Sequence, residues 1–203
     1  MTLDRVVLQR LAVREDVTGY VRIVGRAHAA TPLGMGFGKT RFSSPKDKFR
    51  LLYLAQDPMT AVAETIVRDR FERKTKREIL QEEFDLYSVA AIRNSAPLFL
   101  LDLRHEGASL LGVSTDAVRA KAQLAGRRFS QQLYDRTDFD GIIYMSRITN
   151  KQCIAVYDRA ATLKLEADSP ALDLPRLGSL QAILNMLHIT VIARVSASVP
   201  GLG

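Results

Sequence analysis

The stretch RFSSPKDKFRLLYLAQDPMTAVAET, Arg41 to Thr65, reads as a loop, a strand and a helix in succession. Residues 49–56 are dominated by apolar side chains, as a buried strand requires, and Phe49 and Tyr53 fall an even number of positions apart, which puts them on one face. Asp57 followed by Pro58 is a helix start: the carboxylate can accept from the free N–H groups of the first turn, and proline needs no donor there. Met59, Val62, Ala63, Ile66, Val67 and Phe71 then recur at helical spacing, predicting a helix to about Lys74. At about 100° per residue, Glu64 falls at the edge of that apolar stripe, on the side of Phe71. A carboxylate so placed is either an ordinary solvated helix residue or a group aimed along a cleft. In the second case Arg41 from the loop and Tyr53 from the strand converge on the same ligand.

Working outward, the glycine-rich GMGFG at 34–38 is a flexible loop or a point of close approach. Residues 1–20 look like a short polar–apolar lead-in. Strands are predicted over 84–92 and 98–103, and Ser114 is placed to cap a helix over 115–125, which Gly126 breaks before a second helix over 127–136. The segment DFDGIIYMSRITNKQCIAVYDR reads as two strands, 141–148 and 152–157, joined by a turn at 149–151. Beyond Ala160 a Pro- and Asp-containing linker, ADSPALDLPRLG, leads to a helix over 179–188 and the strand-like ITVIARV. Strands, then helices, then strands make an α+β domain and not a regular βαβ alternation.

The chain of 203 residues is long enough for one domain, or one domain with an appendage. Its 47% hydrophobic and 25% charged residues are ordinary for a water-soluble protein. No apolar run approaches the ~18 residues of a membrane span, and MTLDRVVLQR lacks the pattern of a secretory signal. A lone cysteine, Cys153, rules out an internal disulfide framework and fits a reducing cytoplasm. The net charge of +7 favours an anionic partner: nucleic acid, a phosphate-bearing small molecule or an acidic protein. The basic cluster RDRFERKTKRE is interrupted by Asp69, Glu72 and Glu78 and reads first as a solvated helix face. No nucleic-acid-binding module is recognisable, so direct nucleic-acid binding is not expected.

Several chemistries fail on spacing. GMGFGKT is not a phosphate-binding P-loop, because the first glycine of that motif falls on Leu33 and RFSSPKDK after it is not helical. His28, His105 and His188 are scattered, with no metal-ligand spacing, so no metal is expected. Cys153 reads as a small apolar strand residue. Ser146 lies between Met145 and Arg147 with no nucleophile elbow, leaving it a hydroxyl at a strand end that can contact a ligand. Helix residues Ala182, Ile183, Met186 and Leu187 are a candidate face for a homodimer or for a partner protein, although burial in the same domain is the simpler reading.

Taken together, GRAH, GFGKTRFSSP, LLYLAQDPMTAVAET, DFDGIIYMSR and CIAVYDR resemble the RES domain family, named for an arginine, a glutamate and a serine. On these motifs the arginine falls on Arg41, the glutamate on Glu64, the serine on Ser146 and a frequent tyrosine on Tyr53, with Arg26 matching an upstream arginine. The resemblance covers roughly residues 20–160 and leaves 161–203 as a C-terminal extension expected to pack on the same domain. It implies a single domain like the ADP-ribosyltransferases, with a mixed β-sheet core and flanking helices. It also implies a toxin of a type II toxin–antitoxin pair, neutralised by an Xre-type helix-turn-helix antitoxin. Such a protein consumes NAD⁺ as substrate, without a bound cofactor, by hydrolysis or by phosphorolysis with phosphate as co-substrate, or transfers ADP-ribose to a protein. On that reading Glu64 stabilises the charge on the ribose and Arg41, assisted by Arg26, binds the pyrophosphate. Tyr53 packs on the nicotinamide or its ribose, Ser146 bonds the substrate or orients Glu64, and Arg147 joins the substrate-binding set. The alternatives are an ADP-ribosyltransferase acting on a protein, or a non-enzymatic module that holds nucleic acid on its basic surface.

Overall fold

A computed structural model describes residues 3–68, 70–71, 74–112 and 123–193. Its strands are β1 (Ala12–Glu15), β2 (Val21–Gly25), β3 (Leu51–Ala55), β4 (Glu78–Leu80), β5 (Tyr87–Asn94), β6 (Leu98–Asp102), β7 (Gly141–Met145), β8 (Gln152–Tyr157), β9 (Leu165–Ala167), β10 (Leu172–Asp173) and β11 (Thr190–Ile192). Among the described residues a nine-stranded sheet runs β1-β6-β7-β8-β3-β2-β5-β10, with β9 also on β5, and β4 pairs with β11 apart from it. Within the large sheet only β6 and β7 are parallel, and the crossover between them carries the helix Gln123–Arg136. The fold is α+β: one mixed sheet with flanking helices.

The central strands are buried on both faces and divide their side chains between two cores by the period-two rule. Leu51, Tyr53 and Ala55 of β3, Ile142 and Tyr144 of β7, and Cys153, Ala155 and Tyr157 of β8 belong to one cluster. Leu52, Leu54, Ile143, Ile154 and Val156 belong to the other. The sheet is not continuous in depth. β2 and β3 share a single bridge, Val21 opposite Ala55, after which β2 follows β5 for the rest of its length. The gap this leaves becomes the site.

β7 and β8 pack so closely at Gly141 that a Cβ there would lie 2.2 Å from the Ala155 carbonyl oxygen. Gly141→Ala must push the two strands apart, and it is expected to lower stability by about 1–3 kcal/mol in urea unfolding, the range for overpacked interiors.

Several expected boundaries move. The helix begins at Pro58 with Asp57 accepting from Thr60 N–H, but it is α-helical only over Pro58–Val62, becomes a π-helix over Ala63–Val67 and stops at Arg68 instead of reaching Lys74. The Arg68 N–H reaches back to the Ala63 carbonyl at 2.9 Å, a five-residue step that apolar spacing cannot reveal. Gly126 does not break a helix. It lies inside Gln123–Arg136, where the expected cost of about 0.5–1 kcal/mol is offset by buried Phe129 and Leu133. The predicted helix over 115–125 falls mainly outside the described residues. The strand predicted over 84–92 starts later, since Gln81–Phe84 is a short helix, and the strand predicted over 141–148 ends at Met145 so that Ser146 enters a turn. The lead-in holds a helix, Arg5–Arg10, and strand β1.

The region read as a linker is structured. A helix Asp158–Lys164 is followed by β9 and β10, which both pair with β5, and Leu174, Leu180, Ile183, Leu184 and Leu187 enter the main core. In the last helix Ile183 and Leu187 are thus buried, while Met186 is 58% exposed. Among the described residues no helix is long and apolar enough to cross a membrane.

Candidate active site

One rung of the sheet makes the floor of the site. Tyr144 of β7 lies opposite Cys153 of β8, Cys153 opposite Ala55 of β3, and Ala55 opposite Val21 of β2. All four line a pocket of about 300 Å³ that opens where β2 leaves β3. Its walls are Arg22 and Ile23 from β2, Thr40 and Arg41 from the preceding loop, Tyr53, and Glu64, Thr65 and Arg68 from the helix.

Glu64 is held at both carboxylate oxygens. Ser146 Oγ donates to Oε1 at 2.7 Å, and Arg68 Nη1 donates to Oε2 at 3.1 Å. The direction of the serine bond follows from its surroundings. Ser146 Oγ already accepts the N–H groups of Ile148 and Thr149 at 3.2 and 3.3 Å, so its single proton is turned to the carboxylate. One turn earlier, the Thr60 and Thr149 hydroxyls meet at 2.9 Å. The helix is therefore pinned to the β7–β8 turn at two points, and Ser146, itself buried, orients Glu64.

Arg41 rides on a loop that is tied down on both sides. Arg127 donates to the Ser43 and Ser44 carbonyls, and Ser44 Oγ donates to Gln131 on the same helix. Thr40 Oγ1 bonds the Tyr53 hydroxyl at 2.7 Å. The Arg41 guanidinium lies over the ring of Tyr144 at 5.7 Å, within cation–π range. Burial lowers the pKa of Arg41 from the ordinary guanidinium value, opposed by Tyr144 and Glu64. Burial also pushes the phenols of Tyr53 and Tyr144 up, so both are neutral donors at physiological pH.

Arg26 and Arg147 do not join them. Arg26 follows the end of β2 and is bound to Asp173 at 2.9 Å, outside the pocket. Arg147 is exposed and lines no part of it, although its charge is felt at Arg41. The arginine that occupies the wall instead is Arg22. Its Nη2 donates to the Gly34 carbonyl at 3.0 Å, and its Nη1 is buried with no partner. Burial lowers its pKa to about 10. The signal in the sequence was a lone cation inside the apolar run YVRIVG. An unpaired buried donor costs about 1–3 kcal/mol. Arg22→Met is accordingly expected to raise the unfolding free energy by about 1 kcal/mol while weakening any anionic ligand, an opposition that thermal melts and ligand titration can check together.

Cys153 is 2% exposed, and burial pushes its thiol up to about 12. It is a protonated floor residue, not a nucleophile. Iodoacetamide at pH 7.5 is expected to label it only after denaturation, with labelling of the native protein far slower than of a free thiol. With phenols and thiol neutral, the ionised lining side chains are three guanidiniums and one carboxylate, a net of 3 − 1 = +2. A pocket of that charge selects an anion, and it places one fixed carboxylate beside it.

The RES domain model matches residues 20–176, which include every group of this pocket. The chain belongs to the RES domain family. A curated relative, "Probable toxin y4kH" of Sinorhizobium fredii (strain NBRC 101917 / NGR234), is 36% identical over 93 residues, covering 45% of this chain and 73% of its own. Among solved structures, the "M.tuberculosis MbcT-MbcA toxin-antitoxin complex" has a chain that superposes with a TM-score of 0.60 at 16% identity. The match covers 83% of this RES protein and 95% of that chain, a likeness of fold.

Proposed function

We propose that this RES protein is the toxin of a toxin–antitoxin pair and that its pocket cleaves the nicotinamide–ribose bond of NAD⁺. The observation that carries the reading is Glu64: a carboxylate locked by Ser146 at the edge of a pocket whose other ionised side chains are arginines. Breaking the N-glycosidic bond leaves positive charge on the ribose and releases nicotinamide neutral. A fixed carboxylate beside the anomeric carbon stabilises that charge as it develops, and one such preorganised contact contributes on the order of 3 kcal/mol. The same carboxylate retains lone pairs for a ribose hydroxyl. Arg22 and Arg41 suit the diphosphate, since guanidiniums bind phosphate oxygens in pairs. The neutral Tyr53 and Tyr144 offer aromatic surface for the nicotinamide end. The bond to the ribose carbon is then completed by water, by phosphate or by a protein side chain. No bound cofactor is needed.

The toxin reading draws on the relative's name and on the toxin–antitoxin complex that shares the fold. The partner we propose is an Xre-type helix-turn-helix antitoxin, and the site of action the cytoplasm. Inducible expression in a bacterial host tests both parts at once. Growth arrest accompanied by a fall in cellular NAD⁺, relieved by co-expressing an Xre-type antitoxin, is the expected result. Arrest with an undiminished NAD⁺ pool would count against NAD⁺ as the substrate and turn the search to a protein acceptor of ADP-ribose. Normal growth with undiminished NAD⁺ would remove the toxin reading.

A further inference from the structure

Arg68 stands in the pocket wall four residues after Glu64 and holds its second oxygen. This ion pair sits awkwardly with cleavage of NAD⁺ by Glu64, the reading on which a role for Arg68 rests. A carboxylate acts on the ribose through its negative charge, and a guanidinium hydrogen-bonded to it cancels most of that charge at short range. Arg68 also lies where the π-helix ends, and its side chain is 30% exposed against 14% for Glu64. That exposed flank leaves the guanidinium open to an incoming anion while it still holds Glu64. A diphosphate can take the same guanidinium in paired charge-assisted bonds. Its two negative charges also match the +2 of the pocket lining, which counts Arg68 among its three cations.

We infer that Arg68 is exchanged from Glu64 to the diphosphate of the incoming dinucleotide, so that Glu64 is unmasked only by substrates that carry that group. Arg68 is then a specificity residue: it masks the carboxylate in the empty pocket and binds substrate in the filled one. Binding of the anionic half of NAD⁺ thereby switches on chemistry at the other half. By reciprocity, Glu64 must weaken the binding of any diphosphate that competes for Arg68.

Two measurements test this. In the first, ADP, which has the diphosphate but no nicotinamide-side ribose, is titrated calorimetrically into wild type, Glu64→Gln, Arg68→Met and the double variant. Glu64→Gln is expected to tighten ADP binding roughly fivefold, the lower end of ordinary coupling between sites, and most of that gain is expected to vanish in the Arg68→Met background. An equal gain in both backgrounds, or no ADP binding in any protein, overturns the exchange. In the second, NAD⁺ and nicotinamide riboside, which has no phosphate, are compared as substrates. Arg68→Met is expected to raise KM for NAD⁺ while raising kcat for the riboside, with Arg68→Gln behaving alike. If both substrates lose kcat together, Arg68 only supports the helix and the exchange is wrong. If the wild type leaves NAD⁺ untouched, it is the proposed reaction that fails, and the ADP cycle still decides whether Arg68 moves between the two anions.

Discussion

Glu64→Gln is expected to lower kcat for NAD⁺ cleavage by roughly 10²–10³, as loss of one preorganised electrostatic contact does elsewhere. The substitution keeps the shape and still accepts the Ser146 hydroxyl, so the pocket is preserved and the loss is confined to the charge that meets the ribose. The loss is expected in kcat, with KM level or lower as Arg68 is released to the diphosphate, because the carboxylate serves the transition state and does not itself hold the diphosphate. Steady-state kinetics with the purified variant, alongside a thermal melt to show that it is folded, make the check. A variant with near wild-type kcat would remove Glu64 from the chemistry.

Ser146→Ala is the second large effect. The hydroxyl that donates to Glu64 Oε1 also accepts the Ile148 and Thr149 N–H groups, and alanine leaves all three contacts unmade. A hydrogen bond to a charged group contributes about 1.5–3 kcal/mol, so kcat is expected to fall by roughly 10–100-fold with KM little changed. Stability is expected to fall as well, by about 1–3 kcal/mol, because Ser146 is only 3% exposed and the turn's N–H groups lose their acceptor. If Ser146 touched substrate instead of positioning Glu64, KM would rise and kcat would be the lesser casualty. The split between the two constants separates the readings.

Much of this site was legible from local patterns. Asp57 and Pro58 announce the helix start, period-two alternation brings Tyr53 to the same core as Tyr144 and Cys153, and the spacing puts Glu64 at the edge of the apolar stripe. Arg41, Tyr53 and Glu64 do converge on one pocket, with Ser146 behind them. What local patterns could not show is where the strands part. Arg22 enters the wall because β2 abandons β3 after one bridge, a property of pairing between distant segments. Arg26, although it stands in a matching motif, falls just past the strand end, within reach of Asp173 from a region that reads as linker. The early end of the helix has the same origin. Its π-turn at Ala63–Val67 leaves the apolar spacing almost unchanged, yet it decides that Arg68 closes the helix beside Glu64. Gly126 shows the opposite case, in which helical packing overrides a residue that disfavours it.

Release of free nicotinamide from NAD⁺ by the purified protein, followed over time with and without phosphate, tests cleavage by this pocket most directly. Many nicotinamide molecules are expected per protein molecule, with phosphate dependence marking phosphorolysis and its absence hydrolysis. NAD⁺ recovered intact under both conditions, from a folded protein whose pocket binds ADP, would contradict cleavage by this pocket alone.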